Sequence, residues 1–187
     1  MLFEWDLQHE RFELPRFERA WNSLIQRHDM LRMVIDADGR QRILPRVPDY
    51  RPQRHDLRAL TPAQQETALA ETRDTLSSRV LPADRWPLFE LVISEIDDRR
   101  YRLHMNLDLL LCDVQSFKVM MDDLAHAYRG DILPPLELGF RDYVLAEQAR
   151  REQPAWRASW RYWQDLLPQL PPAPRLPDGL EHDRNVT

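Results

Sequence analysis

The sequence predicts an α/β fold (α+β) in which strands and helices follow one another along 187 residues. Short segments that alternate apolar and polar side chains are typical of half-buried strands, and longer segments repeat apolar residues at helical spacing. The two patterns meet within residues 101–130, where a strand that ends at Asp108 leads into an amphipathic helix that begins near Asp113. Strand ends and helix N-termini often carry functional groups, so this junction is the first candidate site.

The strands are predicted from alternation, and in chain order they cover residues 2–8, 30–37, 40–44, 88–96 and 101–108. Asp38-Gly39 lies between the second and third of them and indicates a β-hairpin, because glycine readily takes the positive φ of a tight turn. The connection over residues 45–60 carries three prolines. We expect it to be extended, with room for a short edge strand.

The helices are predicted from apolar residues three and four positions apart, over residues 15–29, 61–80, 113–130, 140–153 and 155–167. Thr61, Pro62 and Gln64 are the residue types of a capped helix start. Gly130 is a C-terminal stop for the third helix. The proline-rich segment LPQLPPAPRLPDGL is expected to be extended.

Composition argues against several classes of function. The chain is 43% hydrophobic, sufficient for one sizeable core and about one domain. A net charge of −5 without a basic run predicts no nucleic-acid partner. No apolar run reaches the roughly 18 to 20 residues that span a bilayer, and no export signal is evident, so no membrane partner is predicted. The single cysteine, Cys112, fits a reducing compartment, which predicts a cytoplasmic location.

Asp108 and Asp113 are the candidate catalytic residues. Their spacing alone is weak evidence, because 19 aspartates in this chain give about two such pairs by chance. However, they flank the apolar run LLLC at a junction where burial is expected. A buried carboxylate is costly unless it is paired or hydrogen-bonded, so two of them suggest a structured polar site. The alternative, with Asp113 as a helix N-cap and Asp108 as a solvated strand end, stays open.

Other chemistry has weaker support. His104 and Asp108 form an H-x-x-x-D pattern that resembles a histidine-based acyltransferase, but a structural histidine on the sheet is the favoured interpretation. Cys112 lacks the surroundings of a known catalytic cysteine. A metal site would need more ligands than His104, Asp108 and Asp113, and the four glycines form no phosphate-binding loop. No metal and no directly bound cofactor are therefore predicted.

Four segments together resemble the N-terminal half of a heterocyclization domain of nonribosomal peptide synthetases, a branch of the condensation-domain family. The segments are RHDMLR with the following DGRQ, DLLLCDVQS, FRDY, and YW followed by LPQLPPAPRLP. The resemblance spans nearly all of residues 1–187. It implies a lobe like that of chloramphenicol acetyltransferase, with a mixed sheet and flanking helices. Two such lobes enclose a cleft that the phosphopantetheine arms of two carrier-protein domains enter.

The resemblance also implies a reaction. Ordinary condensation domains carry HHxxxDG at the turn, and in this chain Asp108 takes the place of the first histidine, Leu109 that of the catalytic second one, and Asp113 that of the aspartate. DxxxxD is the form found in heterocyclization domains. These join an acyl or peptidyl thioester to a carrier-bound Cys, Ser or Thr and then cyclodehydrate the product to a thiazoline or oxazoline, as in siderophore or antibiotic biosynthesis.

Roles and partners follow from the same resemblance. Asp108 is expected to face the cleft, whereas Asp113 is expected to pair with Arg32 or, second, Arg27, and Ser116 supports the turn. The implied partners are donor and acceptor carrier-protein domains, the C-terminal lobe and a neighbouring adenylation domain. The family's first motif and its C-terminal lobe lie outside residues 1–187, so little activity is expected of this chain alone. A non-catalytic carrier-docking fragment is the alternative.

Overall fold

The computed structural model describes residues 1–8 and 12–172. The chain forms two compact units, Met1–Phe140 and Arg141–Thr187. Both candidate aspartates belong to the first unit. Within the described residues, no helix is both long and apolar enough to cross a membrane.

The first unit is built on a four-stranded mixed sheet. Numbered along the chain, its strands are β1 (Leu2–Gln8), β4 (Gln53–Asp56), β5 (Phe89–Glu95) and β6 (Arg100–Leu107). Their spatial order is β1-β6-β5-β4. Strand β6 is antiparallel to both of its neighbours, and β4 runs parallel to β5. The predicted mixed sheet and the predicted edge strand are thus confirmed.

The predicted hairpin is also present, but its first strand is shorter than expected. Strand β2 (Met33–Ile35) pairs with β3 (Gln41–Ile43), and Gly39 has a φ of 80° in the turn between them. The prediction of a strand from residue 30 was wrong, because Asp29–Arg32 form a 3-10 helix. This turn buries Leu31 in the core.

All five predicted helices are present within a few residues of their expected ends. They are α1 (Leu14–Arg27), α2 (Pro62–Ser78), α3 (Val114–Arg129), α4 (Phe140–Arg150) and α5 (Pro154–Leu166). Thr61 and Gln64 form the expected capping box at the start of α2. Gly130, with a φ of 88°, ends α3 as expected.

In the second unit, α5 carries a stacked pair, Trp156 and Trp160, with ring centroids 5.4 Å apart. The expected extended proline-rich segment instead begins with a 3-10 turn, Leu167–Gln169. From residue 173 onward, that segment lies outside the described residues.

One face of the four-stranded sheet, here called the apolar face, packs in the core with α1 and α3. Its side chains are Phe3, Trp5, Leu7, Phe89, Leu91, Ile93, Leu103, Met105 and Leu107. The Trp21 ring of α1 meets Phe89 edge to face at 5.4 Å, and the Phe117 ring of α3 stacks on Phe3 at 4.1 Å. Burial of this large apolar area is the main source of stability for the first unit.

The opposite face, here called the polar face, packs against α2. Its polar side chains include Glu4, Glu90, Ser94, Arg102, His104 and Asn106. Several are buried, with Ser94 and His104 0% exposed and Asn106 6% exposed. Ion pairs from α2 and its C-terminal end reach this face, from Arg73 to Glu4 and from Arg79 to Glu90, both at 2.8 Å.

Candidate active site

Asp108 lies directly after β6 and is held by a tight turn. Its N–H donates to the carbonyl of Leu88 at 3.0 Å, and its carbonyl accepts from the N–H of Leu111 at 3.0 Å. Its carboxylate Oδ1 accepts from the N–H of Leu110 at 3.0 Å. Among residues 1–8 and 12–172, no donor is hydrogen-bonded to the other oxygen, Oδ2. The half-buried carboxylate is therefore oriented by its own backbone and keeps one oxygen available to a ligand.

Asp113 is the N-cap of α3. Its Oδ1 accepts from the N–H of Ser116 at 2.7 Å, and hydrogen bonds from Ser116 lower the pKa of Asp113 below its ordinary value. The side chain is exposed, so the expectation that it is buried was wrong. The simpler interpretation of Asp113 as an N-cap is confirmed.

The expected ion pair of Asp113 with Arg32 or Arg27 is not formed. Arg27 Nε instead donates to Asp123 Oδ2 at 2.8 Å, and His28 Nε2 lies 2.9 Å from the same oxygen. Burial raises the pKa of Asp123, but hydrogen bonds from Arg27 and His28 bring it below the ordinary value. Asp123 lies ten residues after Asp113, or about 15 Å along the helix, and it is this later turn of α3 that the end of α1 meets.

Arg32 closes the end of α1. Its guanidinium donates to the carbonyls of Ile25 and, at 2.7 Å, Gln26, which belong to the last turn of α1. Its Nε donates to the carbonyl of Leu44 at 3.1 Å. Helix C-termini leave carbonyls without partners, and an arginine satisfies them well. Arg32 thus connects α1 to the β2–β3 hairpin and does not reach the candidate site.

His104 is fully buried on the polar face. Its Nε2 lies 2.8 Å from Glu4 Oε1, but the ring nitrogens are not in hydrogen-bonding geometry. Burial lowers the pKa of His104, and the Glu4 carboxylate opposes this shift only in part.

An open depression of about 210 Å³ lies beside Asp108. Its lining includes the polar side chains of Arg79 and Asn106 and the apolar side chains of Leu81 and Leu109. Leu109 is 65% exposed and its neighbour Leu110 is 42% exposed. The turn thus presents a carboxylate within an apolar surface.

Cys112 and metal ligation were the remaining candidates. The Cys112 side chain is half-buried, and burial together with the nearby Asp113 carboxylate raises the pKa of its thiol. This environment disfavours a reactive thiolate. Within the described part of the chain, no group of three His, Cys, Asp or Glu side chains is placed to hold a metal ion.

The fold and the turn can be compared with known proteins. A sequence model of the family described as "Condensation domain" matches residues 7–186. The chain belongs to the condensation-domain family. The resemblance inferred from the four sequence segments is thereby confirmed, as is the chloramphenicol acetyltransferase-like fold.

Individual relatives refine this placement within the condensation-domain family. The chain is 35% identical to pyochelin synthetase PchF of Pseudomonas aeruginosa over 92% of its own length and 10% of the synthetase. It is 37% identical to phenyloxazoline synthase MbtB of Mycolicibacterium paratuberculosis over 87% of its length and 14% of that protein. The chain thus corresponds to a small part of each of these relatives.

A solved structure of a cyclization-docking bidomain also resembles this chain. The cyclization-docking bidomain of the nonribosomal peptide synthetase EpoB from Sorangium cellulosum matches with a TM-score of 0.85 and 35% identity. The match covers 94% of this chain and 35% of the bidomain chain.

Three residues of interest in this condensation-domain chain were not predicted from its sequence. Asp123 was not recognised as the partner of Arg27, and Asn106 and Arg79 were not placed beside Asp108. A signal for Asn106 was present, because residues two apart on a strand share a face and Asn106 precedes Asp108 by two. For Arg79 and Asp123 the proximity arises only from tertiary packing.

Proposed function

We propose that this chain is the N-terminal part of a heterocyclization domain in a nonribosomal peptide synthetase. The domain condenses a carrier-bound acyl or peptidyl thioester with a carrier-bound Cys, Ser or Thr and cyclodehydrates the product to a thiazoline or oxazoline. The observation that carries the proposal is the turn after β6, where Asp108 and Leu109 stand in place of two histidines. The relatives named for phenyloxazoline synthesis and for cyclization support it.

The reaction has two stages. In the first, the amine of the acceptor residue attacks the thioester carbon, a C–N bond forms, the C–S bond breaks, and the released thiol takes up a proton. In the second, the Cys, Ser or Thr side chain adds to the new amide carbonyl, which closes the five-membered ring, and the hydroxyl formed there leaves as water with the N–H proton to give the C=N double bond. Both stages need a group that accepts a proton from a nucleophile.

Asp108 is the proposed proton acceptor. Its Oδ1 accepts a hydrogen bond from the N–H of Leu110, and its Oδ2 accepts none from the described residues. Leu109 stands at the place of the family's catalytic histidine, next to Asp108, and is 65% exposed. It has no atom that accepts a proton. The general-base role therefore falls to Asp108 in this proposal.

The other predicted site residues have supporting roles in this proposal. Asp113 and Ser116 fix the start of α3 and hence the end of the turn that carries Asp108. Arg32 and Arg27 stabilise the end of α1 and its contact with α3. None of these four contributes an atom to the reacting groups.

The proposed partners follow from the two-stage reaction. Donor and acceptor carrier-protein domains deliver both substrates on phosphopantetheine arms, and a neighbouring adenylation domain loads the acceptor residue. The exposed Leu109, Leu110 and Val114 near Asp108 provide an apolar surface for a C-terminal lobe to cover. We expect cyclization only when that second wall of the cleft is present.

Two alternatives are distinguished by mutation. A histidine-based acyltransferase would use His104, but this side chain is 0% exposed beneath α2 and lies against Glu4. A fragment that only docks carrier proteins would need neither residue.

The test is Asp108→Asn in an intact synthetase that contains this segment, with Asp98→Asn in the exposed β5–β6 turn as the matched control. We expect Asp108→Asn to lower ring formation by about 100-fold or more, because an amide does not act as a general base. The control should retain wild-type turnover. Full activity of Asp108→Asn together with inactivity of His104→Ala would instead establish the acyltransferase alternative, and full activity of both would favour docking.

A further inference from the structure

We infer that Asn106 is a second substrate-binding residue, whose carboxamide hydrogen-bonds the thioester or amide carbonyl of the carrier-bound substrate beside Asp108. The identity of that substrate rests on the proposed function. The placement of Asn106 is independent of it.

The first observation is that Asn106 is buried without a partner. It is 6% exposed and lies on β6 between Leu2 of β1 and Glu90 of β5. No hydrogen bond within the described part of the chain involves its carboxamide. Its amide atoms are not among the fully buried side-chain atoms that lack a partner, so they keep accessible area and are available to a ligand in the depression.

The second observation is where Asn106 lies. It lines the depression of about 210 Å³ that Asp108 also lines. Asn106 is the second-last residue of β6 and Asp108 directly follows this strand, so the depression lies where β6 ends. The polar atoms of Asn106 therefore belong to the same site as the proposed general base.

The charge of the depression indicates what it can bind. Arg79 is at its rim, and the Arg79 guanidinium is paired with Glu90 Oε1 at 2.8 Å. That pair is neutral in sum, and Asp108 is the other charged side chain of the lining. The amino group of Met1 also lines the depression and donates to the Leu107 carbonyl at 2.8 Å. The Asp108 carboxylate disfavours an anionic group directly beside it and can accept a hydrogen bond or a proton from a neutral group.

A carbonyl group under attack by an amine, hydroxyl or thiol matches this arrangement. Asp108 can accept the proton of the nucleophile, and the Asn106 amide can donate to the carbonyl oxygen as negative charge develops there. Leu81 and Leu109 contribute apolar walls to the depression.

Ser94 provides a matched control. It is also on the polar face, it is 0% exposed, and its hydroxyl has no hydrogen-bond partner within the described part of the chain. It is not among the residues that line the depression. Replacement of Ser94 by alanine therefore removes a buried polar group of the same face away from the proposed site.

The experiment compares Asn106→Leu, Asn106→Ser and Ser94→Ala in an intact synthetase that contains this segment. We expect Asn106→Leu to lower kcat/KM for product formation from loaded carrier proteins about tenfold or more. Asn106→Ser, which keeps a donor, should lose less, and Ser94→Ala should match the wild type. Melting temperatures of the corresponding 187-residue chains should stay unchanged or rise for all three variants.

The outcomes are distinct. Unchanged kcat/KM in Asn106→Leu, or a lowered melting temperature that shows a structural role, would overturn the inference. If Asn106→Leu does not fold, Asn106→Ser decides, and wild-type kcat/KM in that variant overturns it. If the wild-type synthetase forms the peptide bond but no ring, the proposed heterocyclization is refuted. The Asn106 inference is then still tested, by the effect of the Asn106 variants on the peptide-bond step. A wild type that forms neither product refutes both.

Discussion

The two faces of the four-stranded sheet are both covered by helices, but the side chains that they bury differ in kind. The apolar face meets α1 and α3 through aromatic and aliphatic side chains such as Trp21, Phe89 and Phe117. The polar face meets α2 through an ionic and amide layer that includes Glu4, Arg73, His104 and Asn106.

The apolar face stabilises the fold, whereas the polar face leads to the candidate site. On the apolar face, each buried group adds favourable transfer free energy. On the polar face, the Ser94 hydroxyl, the His104 ring nitrogens and Glu90 Oε2 are buried without hydrogen bonds within the described part of the chain. Such groups lower stability, and the strand end that follows this face carries Asp108. Local conflicts of this sort are expected near functional sites.

The sharpest test of the apolar face is Trp21→Ala. Trp21 is 0% exposed, so its removal should lower the free energy of unfolding by about 4 kcal/mol. Trp21→Phe should cost far less, because the indole Nε1 has no hydrogen-bond partner within the described part of the chain. Urea unfolding of the 187-residue chain measures the free energy of unfolding of both variants. Similar losses in the two would contradict the view that the buried volume of the ring stabilises the fold.

The contact between the end of α1 and α3 is tested by Asp123→Ala. This change leaves Arg27 and His28 without their shared carboxylate, at side-chain exposures of 16% and 19%. We expect a loss of about 3 kcal/mol in the free energy of unfolding, since breaking one partner of a mostly buried pair is costly. The adjacent, exposed Asp122→Ala is the control. Equal effects in urea unfolding would contradict the proposed contribution of the pair.

The polar face should make stability depend on pH through His104. Its folded pKa is lowered, so the unfolded chain binds more protons, and stability falls as pH drops through the ordinary value of 6.5. The groups that face it are Glu4, Arg73 and Arg102. His104→Leu should therefore gain stability relative to the wild type between pH 7 and pH 5. Thermal unfolding measures this gain, with the non-titrating Ser94→Ala as the control. An equal pH dependence of the wild type and His104→Leu would refute the assignment.

The smallest effect is expected at Asp113, which lies outside both faces. Asp113→Ala should lower the melting temperature slightly, because the N-cap hydrogen bond to Ser116 is lost. Asp113→Asn should remain close to the wild type, since asparagine is an equally good N-cap. The difference in melting temperature between the wild type and Asp113→Ala should vanish as pH falls below the lowered pKa of Asp113. An alanine variant as stable as the asparagine variant at pH 7 would exclude the capping role.

Local patterns predicted most of the elements. The capping box at Thr61, the turn at Gly39 and the stop at Gly130 each depend on residues within a few positions of one another. The predicted strand over residues 30–37 was wrong in its first three residues, where the chain forms a 3-10 helix and the Arg32 guanidinium turns back to the carbonyls of α1. The expected ion pair between Asp113 and Arg27 is absent for a similar reason, since the packing of α1 on α3 decides which carboxylate Arg27 contacts.

The sequence by itself determined which side chains share a face, because alternation along β1, β5 and β6 follows from strand geometry. It also placed Asp108 at a turn and Asp113 at a helix start, since both are local. Only the tertiary structure decided that the polar face is covered, because a polar pattern is equally compatible with solvent and with a helix that supplies ion pairs. His104 was interpreted from the sequence as a structural histidine of the sheet, and the packing of α2 makes it part of the interior.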